Sequence, residues 1–233
     1  MSTVSENIKR LRESVSQAAL KAGRNPADVK IMAVTKTQPA ELVNQAIAAG
    51  ITLLGENKAQ ELREKHEKYK LREDVHLHFI GHLQTNKVKM VIGKVSAIQS
   101  VDSLKLAREI SKQGAKLGVT TDLLLEINIG GEESKSGIPA HLAEDITRQI
   151  ALLRGVKLRG LMAIPPIWCE SGKNERFFAQ MNEMLVDIKA KKIDNVSMEV
   201  LSMGMSDDFA VAIKHGSTLV RLGTAIFGQR SYG

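Results

Sequence analysis

The sequence predicts an α/β protein, a single (β/α)8 TIM-type barrel with an extra N-terminal helix. Three observations carry that prediction. Eight short apolar runs alternate with stretches of helical period, and strands alternating with helices imply a parallel sheet. The repeats use about 200 residues with no block left over, which suits a closed barrel better than an open doubly wound sheet. No linker, composition break or low-complexity segment divides the chain, so residues 1–233 read as one domain, with 1–24 as a helix packed on the barrel.

The first element is amphipathic. Ile8, Leu11, Val15 and Ala19 recur at helical spacing, and Gly23-Arg24-Asn25-Pro26 stops the helix. Strands are predicted at Ile31–Val34, Ile51–Leu54, His76–Ile80, Val95–Ile98, Leu123–Ile129, Leu158–Ile164, Met198–Leu201 and Leu219–Leu222. Helices are predicted at Ala40–Ala49, Ala59–Leu71, Gln84–Val91, Ser103–Leu117, Ala140–Leu153, Glu175–Ala190 and Asp208–His215. Pro39 and Pro139 suit a first helical turn. Asp102 is placed to cap the helix from Ser103. Gly50, Gly118, Gly155 and Gly216 stand where left-handed terminators are wanted.

Composition narrows the function classes. Of 233 residues, 33 are Lys or Arg and 26 are Asp or Glu, a net charge of +7; 43% are apolar and 25% charged. These values are ordinary for a globular chain and exclude wholesale disorder. The single cysteine, Cys169, excludes an internal disulfide and a multi-cysteine zinc site, and points to a reducing, cytoplasmic setting. No metal is expected. Aromatic residues make up 3%, too few for the stacking platforms of single-stranded nucleic acid binders. Basic residues are interleaved with acids, as in Glu61-Leu62-Arg63-Glu64-Lys65. No run approaches the roughly 18–20 apolar residues of a membrane span. Met1–Ala22 carries Glu6 and Glu13 and has no unbroken apolar region, so neither a signal peptide nor an acid-poor transit peptide is expected there. Neither nucleic acid nor membrane is expected as a partner.

In a barrel of this kind the active site lies where strands run into their following loops. Lys36 ends the apolar first strand and shares a face with Val34. Desolvated and neutral, a lysine there is a nucleophile that forms Schiff bases with carbonyls; the plain alternative is a lysine reaching out to solvent. The loops after the last two strands place Gly204 with Ser206, and Gly223 with Thr224, at helix starts. Free N–H groups converge on phosphate at such places, with plain helix capping by Ser206 or Asp207 as the competing reading. The Asp207 and Asp208 carboxylates are expected to turn away from a phosphate. Arg221 should face the barrel interior with Leu219 and Gly223 and needs an acceptor. That acceptor is either an inward carboxylate such as Glu126 or Glu199, or a ligand near Lys36. His76 and His78 read as hydrogen-bonded structural histidines, and Cys169 as an unreactive loop residue.

Val34-Thr35-Lys36-Thr37, Gly55-Glu56-Asn57, His78-Phe79-Ile80-Gly81 and Leu83-Gln84-Thr85-Asn86-Lys87 form the first half of a motif set. Ser134-Lys135-Ser136-Gly137, Arg159-Gly160-Leu161-Met162-Ala163-Ile164, Gly204-Met205-Ser206-Asp207-Asp208 and Arg221-Leu222-Gly223-Thr224-Ala225-Ile226-Phe227-Gly228 complete it. Together they resemble the pyridoxal-phosphate homeostasis protein family, in order from residue 30 to the C-terminus. The resemblance implies a barrel similar to the N-terminal domain of alanine racemase. It implies pyridoxal 5′-phosphate (PLP) held as an aldimine of Lys36, with Ser206, Gly223 and Thr224 on the phosphate. It also implies Arg221 at the pyridine nitrogen and Asn57 near the ring. The implied role is intracellular PLP (vitamin B6) homeostasis, with apo PLP-dependent enzymes as recipients. Pro166–Asn174 fits the family pattern least and is assigned no role.

Four readings compete: a PLP carrier or buffer, a weak PLP-dependent amino-acid racemase, a cofactor-free Schiff-base lyase, and a polyanion-binding module. Two-base racemisation needs an acid/base opposite the lysine. In alanine racemase that group is a tyrosine from a C-terminal β-domain, which a chain ending at Gly233 is not expected to contain. The tyrosines here are Tyr69, inside a predicted helix, and Tyr232, beside the terminus. An arginine at the pyridine nitrogen keeps that nitrogen unprotonated and weakens the electron sink. A lyase has no evident need for Arg221, and a polyanion module would need a clustered basic face. The expectation is a carrier rather than a robust enzyme, as a monomer or weak homodimer. Lys135 has two readings: a solvated loop lysine, or a second amine that takes the aldehyde during exchange.

Overall fold

Strands buried on both faces must be apolar throughout, and only pairing on both edges satisfies their backbone groups. The computed structural model, which describes residues 2–132, 135–166 and 173–228, meets both demands by closure. The strands are β1 (Lys30–Val34), β2 (Leu53–Glu56), β3 (His76–Phe79), β4 (Ala97–Val101), β5 (Thr121–Asn128), β6 (Ile138–Pro139), β7 (Val156–Met162), β8 (Val196–Ser202) and β9 (Leu219–Leu222). They pair in parallel in the order β1-β2-β3-β4-β5-β7-β8-β9, and β9 returns to β1 with Met32 opposite Arg221. The two-residue β6 lies outside this ring, against the C-terminal end of β5.

The helices are α1 (Val4–Lys21), α2 (Ala40–Ala48), α3 (Ala59–Lys65), α4 (Val88–Val91), α5 (Leu104–Leu117), α6 (Ala143–Ala151), α7 (Lys173–Ala190), α8 (Phe209–Lys214) and α9 (Thr224–Phe227). Their apolar faces and the outward faces of the strands make the main core. A smaller cluster of Met32, Leu53, Ile80 and Leu219, flanked by Val34 and Val200, fills the barrel itself. Gly55 belongs to this inner layer by necessity: a Cβ there would lie 2.6 Å from Met32 Sδ and 2.8 Å from Ile80 Cδ1. α1 packs on α2, α8 and α9, and Asn7 Nδ2 donates to the Ile226 carbonyl at 2.9 Å. No described helix is long and apolar enough to cross a membrane.

Gly50, Gly118, Gly155 and Gly216 take φ of +87°, +66°, +70° and +93°, as terminators should. Several boundaries differ from expectation. The helix expected over Ala59–Leu71 ends at Lys65, tightens into a 3-10 turn at His66–Lys68, and lets Tyr69 swing inward to the buried Glu56. Those expected to start at Gln84 and Ala140 begin with 3-10 turns, Thr85–Lys87 and Ala140–Leu142. Pro39 and Pro139 stand one residue before their helices rather than in the first turn. Asp102 does not cap α5. Ser103 does, accepting from the Leu106 N–H, while the Asp102 carboxylate lies 3.2 Å from His82 Nδ1.

Candidate functional site

Strand alternation sends Leu219, Arg221 and Gly223 to the same side of β9, and Leu219 lines the barrel. Arg221 is buried, at 5% exposure. Its Nη1 donates to both the carbonyl and the hydroxyl of Ser202 at 2.7 Å, and its Nη2 donates to the Ala163 carbonyl at 2.9 Å. These acceptors are neutral, so the charge is held but not cancelled. Burial pushes the guanidinium down to about 10, against the fields of Glu126 and Asp208; it stays cationic at neutral pH. The ion pair considered with Glu199 is not formed: Glu199 lies 3.2 Å from Arg159 instead.

The Ser202 hydroxyl donates in turn to Gln99 Oε1 at 2.7 Å, and Gln99 Nε2 lies 2.8 Å from His78 Nδ1. Donors and acceptors match in one direction only, from Arg221 through Ser202 and Gln99 to an imidazole nitrogen that must accept. His78 is therefore neutral, and burial, with the fields of His76 and Lys30, pushes it down to about 3. This is the structural histidine expected. Gln99 was not legible in the sequence, because an inward glutamine at mid-strand carries no motif.

Glu126, on β5, is a half-buried carboxylate whose field reaches Arg221. Burial and the nearby Asp102 push its carboxyl up, and Arg221 and His82 pull it down, leaving it at about 7. It titrates at neutral pH beside a permanent cation.

The remaining site residues gather at the C-terminal end of the strands. Lys36 lies two residues beyond β1, in a turn rather than on the strand itself. Asn57 directly follows β2, and its backbone crosses Gly81 so closely that a Cβ on Gly81 would lie 2.0 Å from the Asn57 carbonyl oxygen. Asn57 Oδ1 is buried with no hydrogen-bond partner among the described residues. Ser206 is half-buried in the turn before α8. Neither it nor Asp207 takes the cap position, which is Asp208. Asp208 turns its carboxylate into its own loop, accepting from the Met205 N–H at 2.6 Å and from Asn174 Nδ2 at 3.4 Å. Gly223 and Thr224 open α9, whose first N–H groups have no acceptor within the helix.

Lys135 stands across the mouth, in the loop after β5. Its Nζ lies 2.6 Å from Glu132 Oε2, and Asn128 Nδ2 donates to the Glu132 carbonyl at 2.8 Å and to that of Lys135 at 3.4 Å. Ser134, Cys169, Tyr232 and residues 167–172 of the unassigned segment lie outside the described residues.

The sequence pattern of the alanine racemase N-terminal domain matches residues 4–231. The chain is 40% identical to the pyridoxal phosphate homeostasis protein of Aquifex aeolicus, over 97% of this chain and 98% of that one. PipY of Synechococcus elongatus, solved with PLP bound, superposes with a TM-score of 0.85 at 29% identity, over 97% of this chain and 100% of that one. Alanine racemase of Corynebacterium glutamicum, at 15% identity, superposes with a TM-score of 0.71 over 97% of this chain and 61% of its own, a likeness of fold. Full-length identity, the matched pattern and the shared barrel agree: the chain belongs to the pyridoxal phosphate homeostasis protein family.

Proposed function

We propose that this chain binds PLP at the barrel mouth and serves PLP homeostasis in the cytoplasm as a carrier or buffer. The observation that carries the reading is the buried cation of Arg221, held by neutral acceptors on the strand beside the one that leads to Lys36. The residues fit the cofactor. The orphaned Asn57 Oδ1 is an acceptor awaiting a donor. At Gly223 a Cβ would only reach ordinary contact with Val34, at 3.5 Å, so the bare glycine leaves room.

PLP supplies an aldehyde that an amine can capture and, with its ring nitrogen protonated, an electron sink. In this reading Lys36 is the Schiff-base lysine. Ser206, Gly223 and Thr224 hold the phosphate through hydroxyl and backbone N–H donors. Asn57 sits at the ring, and Arg221 faces the pyridine nitrogen, where a fixed cation disfavours a proton. Lys135 is the exchange amine that helps pass the cofactor to apo-enzymes. The fold likeness to alanine racemase favours one alternative, a weak amino-acid racemase. Tyr69 does not serve it, because its hydroxyl donates to Glu56 at 2.6 Å.

Borohydride reduction of the PLP-loaded protein should label Lys36, and Lys36→Ala should abolish the visible absorbance of bound PLP while the chain stays folded. A label on another lysine would overturn the assignment. Turnover of any amino acid in the ordinary enzyme range of about 1–1000 per second would overturn the carrier reading.

A further inference from the structure

The backbone on either side of Lys36 is held by one pair of side chains from α3. Glu61 and Lys65 stand one helical turn apart and form an ion pair. Lys65 Nζ also donates to the Thr35 carbonyl at 3.3 Å, and Glu61 Oε1 accepts the Thr37 N–H at 2.5 Å. The residue before Lys36 is thus fixed by its carbonyl, and the residue after it by its amide. Thr37 has φ of +63°. A β-branched residue in that region is strained and persists only where its surroundings impose it. The Thr37 hydroxyl closes the turn by donating to the Lys36 carbonyl at 2.6 Å.

Behind the pair lies Glu56, fully buried. Its Oε1 accepts from the Thr35 and Tyr69 hydroxyls, each at 2.6 Å, and lies 3.7 Å from Lys65 Nζ. Burial, and then the charge of Glu56, raise Tyr69 far above an ordinary phenol, so it remains a donor. A buried carboxylate, a tyrosine and an ion pair are more than the five-residue connection from β1 to α2 needs. Their common target is the turn that carries Lys36.

We propose that Glu61 and Lys65 are positioning residues for Lys36. They clamp the turn from α3, impose the left-handed Thr37 and fix the direction in which the lysine side chain leaves the barrel wall. The proposal rests on the reading of Lys36 as the PLP-capturing amine. Removing the clamp frees the turn to relax, and the amine then samples directions away from the mouth.

The test uses the full-length chain and the variants Glu61→Ala and Lys65→Met. In the PLP-free protein, amide exchange at Thr37 should quicken by about tenfold or more, the worth of one charge-assisted hydrogen bond. Competitive acetylation should show a changed reactivity of the Lys36 amine. In the loaded protein, PLP release should quicken to a similar degree. A merely structural role predicts a lower melting temperature with Lys36 reactivity and PLP release as in wild type, and that result would overturn the proposal. If either variant fails to fold, Glu61→Gln, which keeps the volume and removes the charge, is read the same way. Borohydride labelling of wild type separates the two layers. A label on another lysine sinks the Lys36 reading, and this proposal with it, whatever the exchange data show.

Discussion

The two sides of the barrel mouth are built by opposite rules. On the side of β1, β8 and β9, Arg221 and the turn of Lys36 are pinned. Arg221 has three hydrogen bonds to neutral acceptors, and the Lys36 turn is bracketed from α3. On the side of β4 and β5, ionisable groups lie close together: His82 is 3.2 Å from Asp102, Lys135 is 2.6 Å from Glu132, and Glu126 lies in the fields of Asp102 and Arg221. The first side can hold a ligand in one geometry. The second holds Glu126, the carboxyl that burial raises to about 7. In the proposed carrier reading, the first side is the one that grips and the second the one that responds to pH.

The contrast can be broken at its rigid side first. Gly223→Val should leave the fold intact, since a Cβ there meets Val34 only at 3.5 Å. Its branch should fill the phosphate space and weaken PLP binding by at least about a hundredfold, against about tenfold for Ser206→Ala, which loses one hydrogen bond to a charged group. Absorbance titration measures both, and normal binding by the valine variant would remove the phosphate from this loop. Next, Gln99→Leu strips His78 Nδ1 and the Ser202 hydroxyl of their shared partner. The expected loss is about 1–3 kcal/mol in denaturant unfolding, with weaker PLP binding as Arg221 loosens.

The titrating side should respond to pH. The Glu126 carboxyl is raised in the fold from an ordinary 4.5 to about 7. Its contribution to stability is fully present below the lower value and lost as pH rises through the upper one. Glu126→Gln should therefore flatten the melting profile across this window, with a gain on the order of 1–2 kcal/mol at the alkaline end. Parallel profiles for variant and wild type would mean that Glu126 does not titrate there. Lys135→Ala should have the smallest effect. A partly exposed ion pair is worth under about 1 kcal/mol, so stability and bound PLP should barely change, while transfer to an apo-enzyme slows severalfold. Equal transfer rates would return Lys135 to a solvated loop lysine.

What the sequence made legible follows the range of the forces. Apolar runs and glycine terminators report local demands, and the eight barrel strands and the left-handed Gly50, Gly118, Gly155 and Gly216 were readable from them. Alternation along a single strand was enough to send Arg221 inward. Its acceptors were not readable, because Ser202 and Ala163 come from β8 and the end of β7 and meet it only on closure. Asp102 and Ser103 both qualify as caps by residue type, and the choice between them depends on His82, which is brought in by another strand. The α3 clamp was hidden for a different reason. Glu61 and Lys65 have the spacing of a solvated surface pair, and their engagement with the Lys36 turn depends on the tilt of a helix that the sequence had running on to Leu71.

The seam that closes the barrel joins its first strand to its last, with Met32 opposite Arg221. Most of the chain, residues 37–220, lies between Lys36 and Arg221, and pairings of such sequence separation form late. Until that seam closes, the strand that leads to Lys36 lacks its β9 neighbour, and with it Arg221 and the Gly223–Thr224 turn. The contact from Asn7 to the Ile226 carbonyl ties the first helix to the last at the same seam. Any ligand that requires both strands has its site only once this seam is closed.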